Sequence, residues 1–265
     1  MKPLSQLPQA AARSIRVVLT DIDDTMTTEG LLTAKAYSAL EELHRAGFIV
    51  IPVTGRPAGW CDHIARMWPV DAVVGENGAF YFRYDRERRK MLQHFWANPE
   101  ELRQNRIRLK SIEKEVLATV PGSALASDQA YRLADLAIDF CEDVPALPET
   151  EVDRIVSIFE KAGAQAKVSS IHVNGWFGDY NKLSMAKTLL ADVFGMDWEQ
   201  AKNAVIYAGD SPNDEPMFAA FPFSVGVANI QAFAHRLTHK PAYITEGHSG
   251  DGFAELADML LRAKS

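Results

Sequence analysis

Residues 15–25 read IRVVLTDIDDT, and this stretch decides the fold of the 265-residue chain. The mostly apolar run that ends at Thr20 is typical of a short buried strand. Asp21, Asp23 and Asp24 follow at the point where that strand ends. Carboxylates crowded at a strand end repel one another and are costly to take out of water. The stretch alone therefore fits either a solvated acidic loop or a site where a cation or a reaction uses the charge.

Three further stretches favour a site. Residues 53–57 (VTGRP) end a second apolar run, residues 179–182 (DYNK) open a helical pattern, and residues 209–214 (GDSPND) follow a third apolar run. In an open parallel α/β sheet, the carboxyl ends of the strands meet at one crevice, where ligands bind. We therefore predict that all four stretches line a single crevice.

The acids of this crevice suit phosphoryl transfer, which needs a nucleophile, a hard cation and donors for the phosphoryl oxygens. Mg²⁺ prefers one or two carboxylates, and Asp21 and Asp210 can supply them. A free carboxylate can also attack phosphorus and form an aspartyl-phosphate. Asp23, two residues further on, can protonate the leaving oxygen and then activate water.

The other polar residues of these stretches suit the binding of an anion. Thr54 offers a hydroxyl, and Gly55 lets the backbone come close to a ligand. Lys182 lies in the first turn of a predicted helix, where the helix dipole disfavours a cation unless an anion is nearby. Arg56 adds local positive charge. A phosphate ester would match this set.

Together the four stretches resemble the motifs of the haloacid dehalogenase (HAD) superfamily of phosphohydrolases, over about residues 10–85 and 178–262. One departure is Asp24, since Gly is commonest there in the family. The roles that the resemblance implies are catalysis by Asp21 and Asp23, phosphate binding by Thr54, Gly55 and Lys182, and Mg²⁺ binding by Asp21, Asp23, Asp210 and Asp214 with support from Asn213.

The spacing of the motifs narrows the resemblance. Only a helix and a strand fit between Asp21 and Thr54, whereas more than a hundred residues separate Thr54 from Lys182. The chain therefore resembles the Cof-type and sucrose-phosphatase-like subgroup, whose cap domain is inserted between the second and third motifs. The residues Glu76-Asn77-Gly78-Ala79 indicate a hairpin turn, and a similar turn recurs in that subgroup.

These observations predict an α/β fold, with a Rossmann-like doubly wound parallel-sheet core and an inserted α+β cap. We expect a flexible tail over residues 1–14, a core over 15–84 and 178–265, and a cap over 85–177 that sets substrate specificity. The charged residues 83–90 are expected to form a turn-like boundary into the cap.

The cap is expected to supply the contacts to the leaving group. His172, Asn174 and Trp176 alternate along one predicted strand and so share a face. That face, with Arg132 as a weaker candidate, fits either the recognition of sugar hydroxyls or an ordinary polar sheet surface. The predicted cap elements are helices over 99–120 and 148–163 and strands over 131–140 and 165–177.

Composition excludes several classes of partner. The formal net charge is −7, which disfavours binding to nucleic acid or to an acidic membrane. No stretch approaches the roughly 20 apolar residues of a membrane span. The chain has two cysteines, so we predict a reduced, cytoplasmic setting without a disulfide framework. The expected partner is a small-molecule phosphate ester, and the expected assembly is a monomer or a homodimer.

The predicted function is Mg²⁺-dependent hydrolysis of a small phosphomonoester, with a sugar phosphate favoured, through an aspartyl-phosphate on Asp21. A phosphomutase of the phosphomannomutase type would share all four motifs and stays open. A phospho-aspartate signalling or binding protein is the other alternative, although receiver domains lack an acid at the position of Asp23. A calcium-binding EF-hand fits poorly, because Met26 and Leu32 occupy the positions of its Gly and its bidentate Glu.

Overall fold

A computed structural model describes residues 1–264, so that Ser265, the last residue of the predicted core, lies outside the described part. The strands are β1 (Lys2–Pro3), β2 (Val17–Thr20), β3 (Thr27–Thr28), β4 (Leu31–Leu32), β5 (Ile49–Pro52), β6 (Val73–Gly75), β7 (Phe80–Asp85), β8 (Lys90–Phe95), β9 (Ala124–Leu125), β10 (Leu136–Asp139), β11 (Gln165–Val168), β12 (His172–Trp176), β13 (Val205–Gly209), β14 (Ser224–Gly226) and β15 (Tyr243–Ile244). The α-helices are α1 (Gln9–Ser14), α2 (Ala34–Arg45), α3 (Ala58–Met67), α4 (Pro99–Thr119), α5 (Glu149–Lys161), α6 (Lys182–Phe194), α7 (Trp198–Ala201), α8 (Glu215–Ala220) and α9 (Ser249–Lys264).

A six-stranded parallel sheet forms the centre of the core, in the order β1-β15-β14-β13-β2-β5. Neighbouring residues of a strand bury their side chains on opposite faces. Val18 packs into an apolar cluster with α2 and α9, whereas Val17 and Leu19 pack into a second cluster with α6 and α8. Because helices cover both faces, the predicted doubly wound core is confirmed.

The sheet order explains how the acidic motifs meet. Strands β2 and β13 are neighbours at its centre, with Ala208 paired to Thr20. The amide of Asp21 donates a hydrogen bond to the Ala208 carbonyl at 2.9 Å. Asp21 and Asp210 therefore leave the sheet at the same edge, side by side.

The insertion between β8 and α6 forms a separate α+β layer. Its four strands pair antiparallel in the order β11-β12-β10-β9. Helices α4 and α5 cover one face with an apolar cluster of their own, which includes Ile112, Val116, Ile155 and Phe159. The predicted inserted α+β layer is present, and its role as a specificity cap stays a prediction.

The boundary into the insertion differs from the expectation. Residues 83–90 do not form a single turn, because β7 runs to Asp85 and β8 begins at Lys90, and the two strands pair along their whole length. Phe95 at the end of β8 packs against the core cluster. The pairing favours a boundary after residue 95 rather than after 84.

Residues 1–14 are folded in the structure, contrary to the predicted tail. Strand β1 pairs with β15 at the edge of the central sheet. Leu4 and Leu7 are buried in the core cluster, 2% and 7% exposed. Two separated leucines carry no periodic pattern, which is why the sequence did not reveal this segment.

Two predicted cap strands are shorter than expected. Strand β10 starts only at Leu136, because the amides of the preceding residues 133–135 bind the Glu76 carboxylate instead of a neighbouring strand. The segment 165–177 is a hairpin rather than one strand. Its turn is closed by Ser169, whose hydroxyl accepts hydrogen bonds from the amides of Ile171 and His172 at 3.3 and 2.9 Å.

Candidate active site

Three buried carboxylates lie together at the carboxyl edge of the central sheet. Oxygen atoms of Asp21, Asp210 and Asp214 all lie within 4.8 Å of one another. Asp21 follows β2 and Asp210 follows β13, while Asp214 is carried by the short 3₁₀ helix Pro212–Asp214. The backbone amides of Asp210 and Ser211 hold Asp214 Oδ2 at 2.9 and 3.2 Å. The edge of the sheet thus concentrates negative charge at one point.

Lys182 is the cation of this cluster. It is the first residue of α6, which begins there because the Asn181 side chain caps the helix and accepts a hydrogen bond from the Ser184 amide. Lys182 Nζ lies 3.0 Å from Asp21 Oδ1 and 2.6 Å from Asp214 Oδ1. Burial lowers the pKa of Lys182, but the two carboxylates outweigh burial and raise that pKa above its ordinary value. The lysine therefore stays charged.

One ammonium does not balance three carboxylates. Burial raises the pKa of Asp21 to about 8, with Asp214 and Asp23 adding to the rise and Lys182 opposing it. Burial also raises the pKa of Asp210 well above its ordinary value, with Asp214 and Asp21 adding to the rise. Among the described residues, Asp210 Oδ2 is buried without a hydrogen-bond partner, although Oδ1 accepts one from Thr25 at 3.0 Å.

The cluster fits a divalent metal ion. Hard cations such as Mg²⁺ take carboxylate oxygens as ligands. A cation held by Asp21, Asp210 and Asp214 would give the orphaned Asp210 oxygen a partner and lower the pKa values of the crowded acids. Asp23 is outside this group of three, so its predicted part in metal binding stays a prediction.

The second motif borders the cluster. Thr54 is fully buried, and its hydroxyl accepts a hydrogen bond from the Arg56 amide at 3.0 Å, which leaves the hydroxyl proton free for a ligand. Gly55 lines the same small cavity as Asp21. This arrangement places the predicted phosphate-binding groups beside the predicted nucleophile.

Arg56 joins the core to the insertion. Its Nε donates to Asp23 Oδ1 at 2.9 Å, and its other nitrogens lie 2.7 Å from Glu142 and 3.3 Å from Asp128. The guanidinium also stacks over the Trp60 ring, 4.5 Å from its centroid. Asp23, the predicted acid/base, is thus tied through Arg56 to two acids of the insertion.

The predicted cap residues lie on the opposite wall. His172 Nε2 lies 2.9 Å from Glu142, and Asn174 Nδ2 donates to Asp135 at 3.0 Å. Arg132 donates to the Gly55 carbonyl at 2.8 Å. Trp176 does not join this wall, because its ring packs into the core cluster and stacks on Tyr180.

Between the two walls lies a cavity of only about 10 Å³. It is lined by core and cap residues together, including Asp21, Asp23, Arg56, Asn213, His172 and Asn174. That volume is about the smallest that can hold one water molecule. The structure therefore brings the predicted site residues together in a closed arrangement, and their individual roles stay predictions.

Glu76 was missed by the sequence analysis, which treated it only as part of a turn. Its side chain is fully buried and accepts hydrogen bonds from the Ala58 amide at 3.0 Å and from the amides of Leu133, Ala134 and Asp135 at 2.8, 2.6 and 3.2 Å. Burial, with Asp135 adding, raises its pKa to about 7. An acid set between two apolar runs was the available signal.

Glu142 and Asp128 were also missed. The close contact with the His172 imidazole lowers the pKa of Glu142 to about 2, against the effect of burial and with help from Arg56. Asp128 binds both Arg56 and Arg132, at 3.3 and 3.1 Å. Neither acid lies in a distinctive sequence pattern, and Arg56, the partner that the two acids share, comes from a distant part of the chain.

Comparison with known proteins adds family evidence to this geometry. Residues 18–118 match the sequence profile of a family described as haloacid dehalogenase-like hydrolase. No curated protein matches the chain.

Solved structures share the fold over nearly the whole chain. The C-terminal domain of trehalose-6-phosphate phosphatase from C. albicans is 15% identical, with a TM-score of 0.73 over 99% of this chain and 98% of that one. Sucrose-phosphatase from Synechocystis sp. PCC6803 is 16% identical, with a TM-score of 0.63 over 94% and 98%. A putative HAD/COF-like hydrolase from Plasmodium vivax is 15% identical, with a TM-score of 0.67 over 96% and 99%. At these identities the likeness is one of fold.

The chain therefore has the fold of these solved structures, and its residues 18–118 match the profile of haloacid dehalogenase-like hydrolases. Among residues 1–264, no helix has both the length and the apolar character needed to span a membrane.

Proposed function

We propose that the chain is a Mg²⁺-dependent phosphatase that hydrolyses a small phosphomonoester, with sugar phosphates as its substrate class. The observation that carries the proposal is the contact of Lys182 with Asp21 inside a buried cluster of three acids, beside the Thr54 hydroxyl, whose proton is available to a ligand. The superfamily match and the sugar-phosphatase neighbours support the same activity.

The reaction starts at Asp21. An oxygen of its carboxylate forms a bond to phosphorus while the bond from phosphorus to the leaving alcohol oxygen breaks, and Asp23 donates a proton to that oxygen. Asp23 then takes a proton from water, whose oxygen attacks phosphorus and releases phosphate and free Asp21. Lys182 and Thr54 hold the phosphoryl oxygens throughout and stabilise their charge.

Mg²⁺ would be held by Asp21, Asp210 and Asp214, with Asn213 nearby as support. When bound, it supplies positive charge that offsets the charge of the phosphoryl group and of the crowded acids. The orphaned Asp210 oxygen and the raised pKa values of Asp21 and Asp210 support a cation at this place.

The cap wall suits a polyhydroxylated leaving group. It presents the imidazole of His172 and the amide of Asn174, which can donate to or accept from sugar hydroxyls. The cavity of about 10 Å³ is too small for a sugar phosphate, so the cap must move for substrate to enter. The free thiols Cys61 and Cys141 fit a cytoplasmic enzyme.

The test is phosphate release from a panel of sugar, nucleotide and acid phosphates, with Mg²⁺ and with EDTA. We expect release from one or a few sugar phosphates with Mg²⁺ and none with EDTA. A folded, Mg²⁺-loaded protein that releases phosphate from no ester would contradict the proposal. Interconversion of hexose phosphates that requires a hexose bisphosphate would identify a mutase instead.

A further inference from the structure

Asn77 has an unusual backbone and an unsatisfied side chain. Its φ is +54°, in the left-handed region that side-chain-bearing residues rarely adopt, and the preceding Glu76 has a φ of +43°. The residue is 2% exposed, and its Nδ2 has no hydrogen-bond partner among the described residues. A buried donor without a partner is costly, and strained residues of this kind cluster at functional sites.

The orientation of the Asn77 amide follows from its neighbours. The Ser211 hydroxyl donates to Asn213 Oδ1 at 3.0 Å, so Asn213 presents its Nδ2 on the other side. That Nδ2 donates to Asn77 Oδ1 at 3.3 Å. The oxygen of Asn77 is therefore used, and its NH₂ group is the part that remains free.

The free NH₂ group lies next to residues that line the closed cavity. A Cβ atom placed on Gly55 would meet Asn77 Nδ2 at 3.1 Å and Asn174 Oδ1 at 3.6 Å. Gly55, Asn174 and Asn213 all line that cavity. The unpartnered donor is thus surrounded by residues that border the place where a substrate would react.

The turn that carries Asn77 is fixed between the two predicted phosphate-binding groups. The Asn77 amide donates to the Thr54 carbonyl at 3.1 Å. The next residue, Gly78, packs against the start of α6 so closely that a Cβ there would lie 2.1 Å from the Asn181 carbonyl oxygen. Asn77 therefore lies between the end of the strand before Thr54 and the helix turn that begins with Lys182.

We infer that the side-chain amide of Asn77 donates a hydrogen bond to a phosphoryl oxygen of the substrate. The inference rests on the proposed phosphatase function and adds a binding residue to it. A neutral donor suits this position, because it binds an anionic oxygen without adding another charge to a site that already holds Lys182 and a predicted metal ion. A hydrogen bond to a charged oxygen is also stronger than one between neutral groups.

The test compares Asn77→Gly and Asn77→Asp with the wild-type protein. Gly removes the amide and tolerates the positive φ, whereas Asp keeps the size and replaces the donor by an acceptor. Arg89→Gly is the matched control, since Arg89 also has a positive φ, +51°, but lies in the turn between β7 and β8. The measurements are the Kd of inorganic phosphate with Mg²⁺ by calorimetry, the midpoint of thermal unfolding, and kcat and KM on the best ester.

We expect the Kd of phosphate to rise by at least about tenfold in Asn77→Gly and further in Asn77→Asp, with no change in Arg89→Gly. A purely structural Asn77 would shift the unfolding midpoint but leave the Kd of the folded protein unchanged, and that result would overturn the inference. If Asn77→Gly does not fold, the Kd of phosphate for folded Asn77→Asp decides: a raised Kd supports the inference and an unchanged Kd overturns it. A wild-type protein that binds no phosphate and cleaves no ester would overturn the proposed function and this inference together.

Discussion

Lys182 Nζ lies 3.0 Å from Asp21 Oδ1, the atom pair at the centre of the site. Asp21 comes from the end of β2 and Lys182 from the start of α6, more than a hundred residues further along the chain. The contact places a buried cation against the carboxylate that is proposed to attack phosphorus. It also offsets part of the negative charge of the three crowded acids, which gives several measurable consequences.

Replacing Asp21 by Asn should make the metal-free protein more stable at high pH. The pKa of Asp21 is raised from 3.8 to about 8, so the folded state holds a proton that the unfolded chain has lost. The free energy of unfolding therefore falls as pH rises from about 4 to about 8. The Asp21→Asn variant has no carboxyl group at this position, so its free energy of unfolding does not fall in this way. Urea unfolding in EDTA should show a gain over wild type at pH 8 that shrinks towards pH 5.

Asp62→Asn is the control for that experiment, because Asp62 forms only an exposed ion pair with Arg66. An Asp21→Asn protein that is clearly less stable than wild type at pH 8 would show that the acid cluster is not a source of strain.

Replacing Lys182 by Met should destabilise the metal-free protein strongly. Asp21 and Asp214 would lose their shared cation, and breaking a buried ion pair by removing one partner costs about 3–5 kcal/mol. Added Mg²⁺ should restore part of the loss, because a bound cation stabilises the folded state. Urea unfolding with EDTA and with Mg²⁺ measures both effects.

Lys202→Met removes the partner of the exposed Glu199 and should change the unfolding free energy by less than about 1 kcal/mol. Equal losses in the Lys182 and Lys202 variants would argue against the buried cluster.

Replacing Glu76 by Gln should loosen the contact between the core and segment 133–135. The carboxylate accepts hydrogen bonds from four backbone amides, whereas a carboxamide offers one oxygen and adds donors of its own. Hydrogen exchange of the Leu133, Ala134 and Asp135 amides should become faster than in wild type. Glu115→Gln, on the exposed face of α4, should leave their exchange unchanged, and unchanged exchange in Glu76→Gln would refute this role of the carboxylate.

Glu142 should stabilise the protein above about pH 5 and lose that effect in acid. Its pKa is lowered from 4.5 to about 2, chiefly by the contact with the His172 imidazole and also by Arg56. A lowered pKa means that stabilisation is complete above 4.5 and disappears as pH falls towards 2. The difference in unfolding free energy between wild type and Glu142→Gln should therefore be constant above pH 5 and shrink below it. A difference that grows in acid would contradict the ion pair with Arg56.

The core of the site was predictable because its residues follow strands. Asp21 and Asp210 each come directly after an apolar run. Parallel pairing of those two runs brings the two acids together, and this does not depend on how the rest of the chain folds. Lys182 was identifiable from its position at a helix start. These relationships depend on local patterns and on one rule of sheet topology.

The remaining contacts depend on how the cap lies on the core. Glu142 meets Arg56, and Glu76 meets residues 133–135, only after segments far apart in the sequence have packed together. Glu142 has no local feature that distinguishes it from a solvated acid, and the position of Glu76 between two apolar runs does not reveal its partners. For the same reason, the sequence did not reveal that the Asn77 side-chain NH₂ group is free, because its orientation is set by Asn213 across the site.

The most direct test of the central claim compares phosphate release by the wild-type protein and by Asp21→Asn, on the ester that the panel shows to be the best substrate. The account predicts release that requires Mg²⁺ in the wild type, and a loss of at least about a thousandfold in a folded Asp21→Asn protein. Release by Asp21→Asn at the wild-type rate, or wild-type release that is unaffected by EDTA, would contradict it.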